Sequence, residues 1–129
     1  MTDILAVVLG ARSLIITRRE PERDPGREVL RRAGEAAVLI LTSLADGPKH
    51  GYALILDIKD FAGLKLGPGT LYGALDRLER LELIKALPAE DRRHPYRITP
   101  AGAVALRDHL DSLERVSAVG RLRLALGGI

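Results

Sequence analysis

Apolar residues recur every three to four positions over three stretches of the chain, and this spacing places them on one face of an α-helix. The pattern predicts helices over about residues 28–44, 51–61 and 68–81. Gly47 and Pro48 follow the first of these stretches and favour a helix end there. Three helices separated by short turns are therefore expected in the middle of the chain.

The second and third predicted helices differ in the residues that they are expected to bury. The second should turn Tyr52, Ile55 and Ile58 inward. In the third, Pro68 favours a helical first turn, and the Thr70 hydroxyl can cap free amides. The third helix also has one apolar face (Leu71, Ala74, Leu75, Leu78, Leu81) and one largely polar face (Tyr72, Gly73, Asp76, Arg80). It is therefore expected to pack with the first face and to present the second to a partner.

Two short segments at residues 84–87 and 96–99 alternate weakly between apolar and polar residues, which predicts the strands of a β-hairpin. The connecting loop and the second strand carry three arginines, Arg92, Arg93 and Arg97. Long cationic side chains on such a hairpin suit contact with phosphate groups.

A last helix is predicted to begin at Thr99 and Pro100, which have the residue types of an N-cap and a first helical position. Its apolar face continues past the length that a small domain needs, through Leu106, Leu110, Leu113 and Val116. A single helix this apolar usually finds a partner helix, so these four residues are expected to form a homodimer.

Three helices followed by a hairpin is the order of elements in a winged helix-turn-helix, in which the third helix enters the DNA major groove and the hairpin contacts the backbone. We therefore predict a mainly α fold with a small β-hairpin. Residues 29–100 would form the winged helix-turn-helix domain and residues 101–129 a C-terminal dimerisation helix. An extra N-terminal apolar segment and a charged linker would occupy residues 1–28.

The composition agrees with one folded domain. The chain has 129 residues, of which 47% are hydrophobic and 29% charged. Its net charge of +3 permits nucleic-acid binding without requiring it. The aromatic fraction of 3% argues against a stacking platform for single-stranded nucleic acid.

Other kinds of chemistry find little support. The absence of cysteine excludes disulfides and cysteine nucleophiles, and three scattered histidines do not have metal-ligand spacing. The glycine-rich stretch 63–70 lacks the Gly-Lys-Ser/Thr ending of a phosphate loop. The apolar run 4–16 contains Arg12 and is short for a membrane helix. We expect a cytoplasmic protein that is not an enzyme and has no cofactor, metal or membrane.

Several motifs in combination resemble those of the PadR family of bacterial transcriptional regulators. They are His50-Gly51-Tyr52, Pro68-Gly69-Thr70-Leu71-Tyr72 and Tyr96-Arg97-Ile98-Thr99-Pro100-Ala101-Gly102. The similarity covers about residues 29–113. It implies a homodimeric winged-helix repressor that binds double-stranded DNA and dimerises through its C-terminal helix. Such repressors often respond to a small-molecule effector.

The resemblance also implies which residues lie near DNA. The implied contacts are Lys49 and His50 before the second helix, Thr70, Tyr72 and Gly73 on the third, and Arg92, Arg93 and Arg97 on the wing. Tyr96 and Ile98 are expected to hold the wing to the core.

The sequence also departs from the family pattern at three positions. Glu82 stands where a glycine usually follows the third helix, so a different or longer helix end is expected. Gly73 and Asp76 weaken the basic character of the exposed face. These two residues favour one alternative, a winged-helix module for protein–protein contact with weakened DNA binding. A second alternative also stays open, a sensor that binds its ligand in a dimer cavity.

Overall fold

The predicted order of three helices, a hairpin and a final helix is the order found in the structure. A computed structural model describes residues 34–89 and 91–128. Its elements are α1 (Glu35–Leu44), α2 (Gly51–Ala62), α3 (Pro68–Arg80), β1 (Ile84–Ala86), β2 (Tyr96–Ile98) and α4 (Pro100–Gly127). The two strands pair antiparallel. The fold is a winged helix-turn-helix, mainly α with one small hairpin. The division of the chain at residues 28 and 100 stays a prediction.

One apolar core joins all the elements. It lies between α1, α2 and α3 and is closed by the hairpin and the first turns of α4. Burial of each large aliphatic side chain contributes about 1.5–3 kcal/mol, so this cluster is the main source of stability. Its large fully buried side chains are Ile40, Leu41, Leu44, Leu54, Ile58, Leu71, Leu75, Leu78 and Ile84.

Two details of the first two helices differ from the sequence prediction. Helix α1 begins at Glu35 because Gly34 has a φ of 99°, which a right-handed helix does not contain. Residues 28–33 of the predicted helix lie outside the described part of the chain. In α2 the buried face is formed by Leu54 and Ile58, and the prediction that Tyr52 faces inward is wrong, since its side chain is 64% exposed.

Both ends of α3 also correct the prediction. Gly67 is the N-cap, and Thr70 makes no capping hydrogen bond, because it lies within the first helical turn. At the other end the helix is not extended. Glu82 has a φ of 62°, and the amides of Glu82 and Leu83 donate to the carbonyls of Glu79 and Leu78, 3.0 Å each. This is the Schellman pattern, with glutamate at its left-handed position.

The start of α4 is fixed against the end of α3. The Thr99 hydroxyl accepts from the Gly102 amide at 3.0 Å, as predicted for an N-cap, and donates to the Glu82 carbonyl at 2.9 Å. A Cβ on Gly102 would lie 2.1 Å from the Leu83 carbonyl oxygen, so only glycine fits. Helix α4 is about 42 Å long, and from Leu113 to Gly127 all its residues are exposed.

Candidate nucleic-acid interface

An open cleft of about 570 Å³ lies between the start of α2, the first turns of α3 and the wing. Four residues that the sequence assigned to DNA contact converge there, namely His50, Tyr72, Arg92 and Arg93. The full lining is His50, Gly51, Tyr52, Tyr72, Arg92, Arg93, His94 and Tyr96. Three segments far apart in sequence thus present aromatic, imidazole and guanidinium groups to one space.

A short backbone pairing brings the start of α2 to the wing. The Lys49 amide donates to the Tyr96 carbonyl at 3.1 Å, and the Tyr96 amide donates to the Lys49 carbonyl at 2.9 Å. The segment before α2 therefore acts as a third, one-residue strand beside β2. His50 follows directly, so this pairing sets its place in the cleft.

The two tyrosines on the helical side of the cleft are both solvent-accessible. Tyr72 is 54% exposed on the face of α3 opposite the buried leucines, as the helical pattern predicts, and its hydroxyl lies against Gly51. Tyr52 was not identified from the sequence as a site residue. The available signal was its position directly after His50 and Gly51 in the first family motif.

The tip of the wing is a tight turn that presents arginine. Asp91 and Arg92 have φ values of 52° and 68°, and consecutive positive φ values are typical of two-residue hairpin turns. Below the tip, the Leu87 amide donates to the Pro95 carbonyl at 2.8 Å, and His94 Nδ1 lies 2.9 Å from the Leu87 carbonyl oxygen. The base of the turn is thereby fixed, while Arg92 and Arg93 stay exposed.

Tyr96 forms the wall of the cleft on the wing side. Burial raises the pKa of its hydroxyl, and the nearby Glu79 and Tyr72 raise it further. The hydroxyl is therefore neutral at physiological pH and is available as a hydrogen-bond donor. Tyr96 and Ile98 are both packed against the core, as expected for residues that hold the wing.

Lys49 lies beside the cleft, but its charge is already engaged. Its Nζ donates to Asp46 Oδ1 at 2.6 Å and to the Ser43 carbonyl, and the side chain is only 19% exposed. The hydrogen bond and the charge of Lys49 lower the pKa of the Asp46 carboxyl. This geometry favours a structural role for Lys49 over the predicted contact with DNA.

The remaining predicted contact residues do not line the cleft. Thr70 is exposed on the first turn of α3, Gly73 is half-buried, and Arg97 projects from β2 opposite Lys85. The acidic residue on this face is compensated, because the Asp76 carboxylate is paired with Arg80 one turn later. The weakening of the basic character of this face that was expected from Asp76 is reduced accordingly.

The predicted dimerisation residues fall into two groups. Leu106 is only 6% exposed and belongs to the core of the single chain, so its side chain has little surface to offer a partner. Leu110, Leu113 and Val116 are exposed on α4. The apolar surface continues beyond them through Val119, Leu122, Leu124 and Leu126.

Two kinds of feature are absent from the described residues. No helix in residues 34–89 and 91–128 combines the length and hydropathy of a membrane span. The same residues contain no group of three or more side chains arranged to hold a metal ion.

Comparisons of the sequence with known proteins point to regulators. Residues 40–108 match the model of the transcriptional regulator PadR-like family. The chain is 38% identical over 95 residues to the transcriptional regulator Rv3488 of Mycobacterium tuberculosis, covering 69% of this chain and 80% of that protein. It is also 45% identical over 86 residues to an uncharacterised 37.1 kDa protein in a transposon of Streptomyces fradiae. That match covers 67% of this chain but only 25% of the transposon protein.

A comparison of structures agrees with the sequence comparison. The fold is similar to the crystal structure of a PadR family transcription regulator from Clostridium difficile, with a TM-score of 0.65 and 25% identity. The match covers 70% of this chain and 99% of that one.

Proposed function

Because the chain belongs to the transcriptional regulator PadR-like family, we propose that it binds duplex DNA through the cleft between α2, α3 and the wing. One observation carries the proposal: His50, Tyr72, Arg92 and Arg93 come from three separate segments and meet in one open space. None of these four side chains belongs to the apolar core, so the packing of the core does not explain why they meet.

The proposed roles follow from how each group is held. Tyr72 is on a rigid helix, so its hydroxyl has the fixed position that contact with a base edge in the major groove needs. Arg92 and Arg93 are at the tip of a turn, where a long cation can reach a phosphate but has no fixed geometry for a base. The wing would therefore supply affinity and α3 would supply sequence preference.

The exposed apolar part of α4 supports a homodimer. A two-fold symmetric protein would bind an inverted repeat with half-site centres roughly 10 bp apart, or a multiple of that distance. In this proposal the dimer is a cytoplasmic repressor, and a small-molecule effector would act by changing its affinity for DNA. Light scattering that gives only a 14.0 kDa species at micromolar concentration would contradict the dimer.

The first experiment is a gel shift and footprint with the DNA upstream of the gene for this protein. We expect protection of an inverted repeat, and equal affinity for random duplex would contradict a sequence-specific regulator. Arg92→Gln should weaken binding to the operator and to random duplex alike and lower the salt slope by about one. Tyr72→Ala should weaken binding to the operator more than binding to random duplex, with a difference of about 1–3 kcal/mol in binding free energy.

A protein–protein contact module is the second candidate. Gly73 favours it, because the middle of the exposed face of α3 has no side chain to contact a base. If this candidate is correct, the footprint is empty while the dimer persists.

A further inference from the structure

Lys49 connects the end of α1 to the wing. Its Nζ donates to the carbonyl of Ser43, one of the last four carbonyls of α1, which have no partner within the helix. The same Nζ donates to Asp46 Oδ1 at 2.6 Å. The backbone of Lys49 exchanges two hydrogen bonds with Tyr96, the first residue of β2. The side chain of Lys49 therefore holds the end of a helix while its backbone holds a strand of the wing.

The end of α1 is a rigid attachment point. Ser43 is only 2% exposed, and its hydroxyl donates to Asp57 Oδ2 of α2 at 2.6 Å. A hydrogen bond to a charged acceptor is stronger than one between neutral groups. The neighbouring Leu44 is buried in the core. Helices α1 and α2 are thus joined at the place where Lys49 is bound.

The turn between the helix end and Lys49 is not held by packing. Gly47 has a φ of 151°, which L side chains rarely adopt, and a Cβ built on it would have no atom within 4 Å. The Gly47 amide donates to the Leu44 carbonyl, but Pro48 has no amide hydrogen to give. The bonds made by the Lys49 Nζ are therefore the ones that tie residue 49 back across the turn.

The pairing with Lys49 uses the edge of β2 that β1 leaves open. Bonded and non-bonded pairs alternate along an antiparallel ladder. The Leu87 amide donates to the Pro95 carbonyl, so the next pair, Ala86 with Tyr96, is a non-bonded one. The amide and carbonyl of Tyr96 consequently face away from β1, and both are bonded to Lys49.

This pairing lies where it has most leverage on the tip of the wing. Ile98 packs against the core at the inner end of β2, and Tyr96 is two residues further out, about 6.6 Å away. Arg92 is six residues from Ile98, up to about 20 Å along an extended chain. A shift of about 1 Å at Tyr96 relative to Ile98 would therefore move Arg92 by about 3 Å. A hydrogen bond to a phosphate does not tolerate that displacement.

We infer that Lys49 is a positioning residue for DNA binding, and that Asp46 assists it by holding its Nζ. Together they fix the direction of the wing and so bring Arg92 and Arg93 to the phosphates, while neither contacts DNA itself. The inference rests on the proposed function. It differs from the direct phosphate contact of Lys49 that the family resemblance implies, and the two roles predict different salt dependence.

The first test is Lys49→Met, which keeps the length of the side chain and removes the cation. A direct contact of Lys49 would make the salt slope of duplex binding fall by about one. A displaced wing loses the contacts of both Arg92 and Arg93, so we expect the slope to fall by about two. Between about 50 and about 200 mM salt, the affinity should then fall about 12-fold less than that of the wild type. Operator and random duplex should be affected alike.

The same substitution is repeated in a chain that carries Arg92→Gln and Arg93→Gln. There, Lys49→Met should change the slope no more than the control Lys59→Met, which removes an exposed lysine from the last turn of α2. A merely structural role of Lys49 would lower the thermal midpoint without changing the salt slope of the folded protein.

The second test is Asp46→Asn, for which the two roles predict opposite signs. Removal of an acid from a DNA-binding surface normally strengthens duplex binding, because the repulsion of phosphates falls. If the carboxylate holds Lys49, Asp46→Asn should instead weaken binding by about 2- to 5-fold, the effect of losing an exposed ion pair. Asp46→Glu should restore it. The side chain of Asp46 is 85% exposed, so these variants are expected to fold. Asp60→Asn, an exposed acid of α2, is the matched control.

Two results would overturn the inference and leave the proposed function standing. One is a slope that falls by about one in Lys49→Met, both alone and in the chain without the wing arginines. The other is tighter duplex binding by Asp46→Asn. If Lys49→Met does not fold, Asp46→Asn and its control decide. An absence of duplex binding by the wild type would overturn both the inference and the proposed function.

Discussion

The hydroxyl of Tyr72 lies so close to the backbone of Gly51 that a Cβ built on the glycine would be 2.6 Å from the phenolic oxygen and 3.1 Å from Cζ. Side chains do not tolerate such distances, so the missing Cβ of Gly51 is what allows Tyr72 to lie across the first turn of α2. The glycine thus sets the position of a residue on the exposed face of α3.

A double-mutant cycle tests this contact. Gly51→Ala should lower the free energy of unfolding by about 0.5–1.5 kcal/mol, because the exposed ring of Tyr72 must turn away from its preferred position to make room for the new Cβ. Tyr72→Phe removes the oxygen and should recover part of that loss when combined with Gly51→Ala. Urea denaturation of the four proteins gives the coupling energy. Additive effects would mean that the two residues are not in contact.

Replacing Glu82 with glycine should stabilise the protein, although substitution by glycine usually does the opposite. Glu82 has a φ of 62°, which costs an L-residue about 1–2 kcal/mol, and the greater flexibility of glycine when unfolded offsets about half of the gain. We expect Glu82→Gly to raise the free energy of unfolding by about 0.5–1 kcal/mol in urea denaturation.

Glu79→Gly provides the control for that measurement. Glu79 is in the last turn of α3 with right-handed backbone, where glycine should cost up to about 1 kcal/mol. If both variants are destabilised, the left-handed strain at Glu82 does not exist.

Gly73→Lys should strengthen DNA binding if α3 enters the major groove. A Cβ at Gly73 would have only Arg77 Nη1 near it, at 3.7 Å, so a side chain fits. The added cation should raise affinity for all duplexes and steepen the salt slope by about one. Gly73→Ala, which stabilises the helix without adding charge, separates the two effects in salt titrations. Identical binding by the two variants would place this face away from DNA.

The stability of the protein should fall as the pH rises above 10.0. Burial raises the pKa of Tyr96 from 10.0 in the folded protein, so the unfolded chain loses this proton first, and ionisation favours unfolding. Tyr96→Phe should reduce the slope of stability against pH in this range, as followed by urea denaturation. Tyr52→Phe, an exposed tyrosine of the same cleft, is the control. An unchanged slope for Tyr96→Phe would contradict the assignment.

The sequence was most informative where one face of a helix decides burial. Leu71, Ala74, Leu75 and Leu78 are buried, as the periodicity of α3 predicts, and Tyr72 is exposed on the other side. The same reasoning failed for Tyr52. The apolar residues of α2 occupy more than one face, and the packing of Leu54 against neighbouring helices decides which face is inside.

The pattern of apolar and polar residues could not predict which side chains would pair with each other. Lys49 is engaged by Asp46 and by the carbonyl of Ser43, and this depends on how the turn after α1 folds back before the pairing with Tyr96. Likewise, the opposition of Lys85 and Arg97 follows from a register that weak alternation does not fix.

The continuity of α4 has a consequence for how two copies would sit on DNA. The helix runs without a break from its anchored start at Pro100 past Val116, over about 24 Å. In a dimer formed through the exposed part, a change of about 10° in the crossing angle near Val116 would move the start of each helix by about 4 Å. Because that start is joined to the end of α3 through Thr99, the two α3 helices would move with it by more than the 3.4 Å rise of one base pair. Operator spacing would therefore be set by the angle between the two α4 helices.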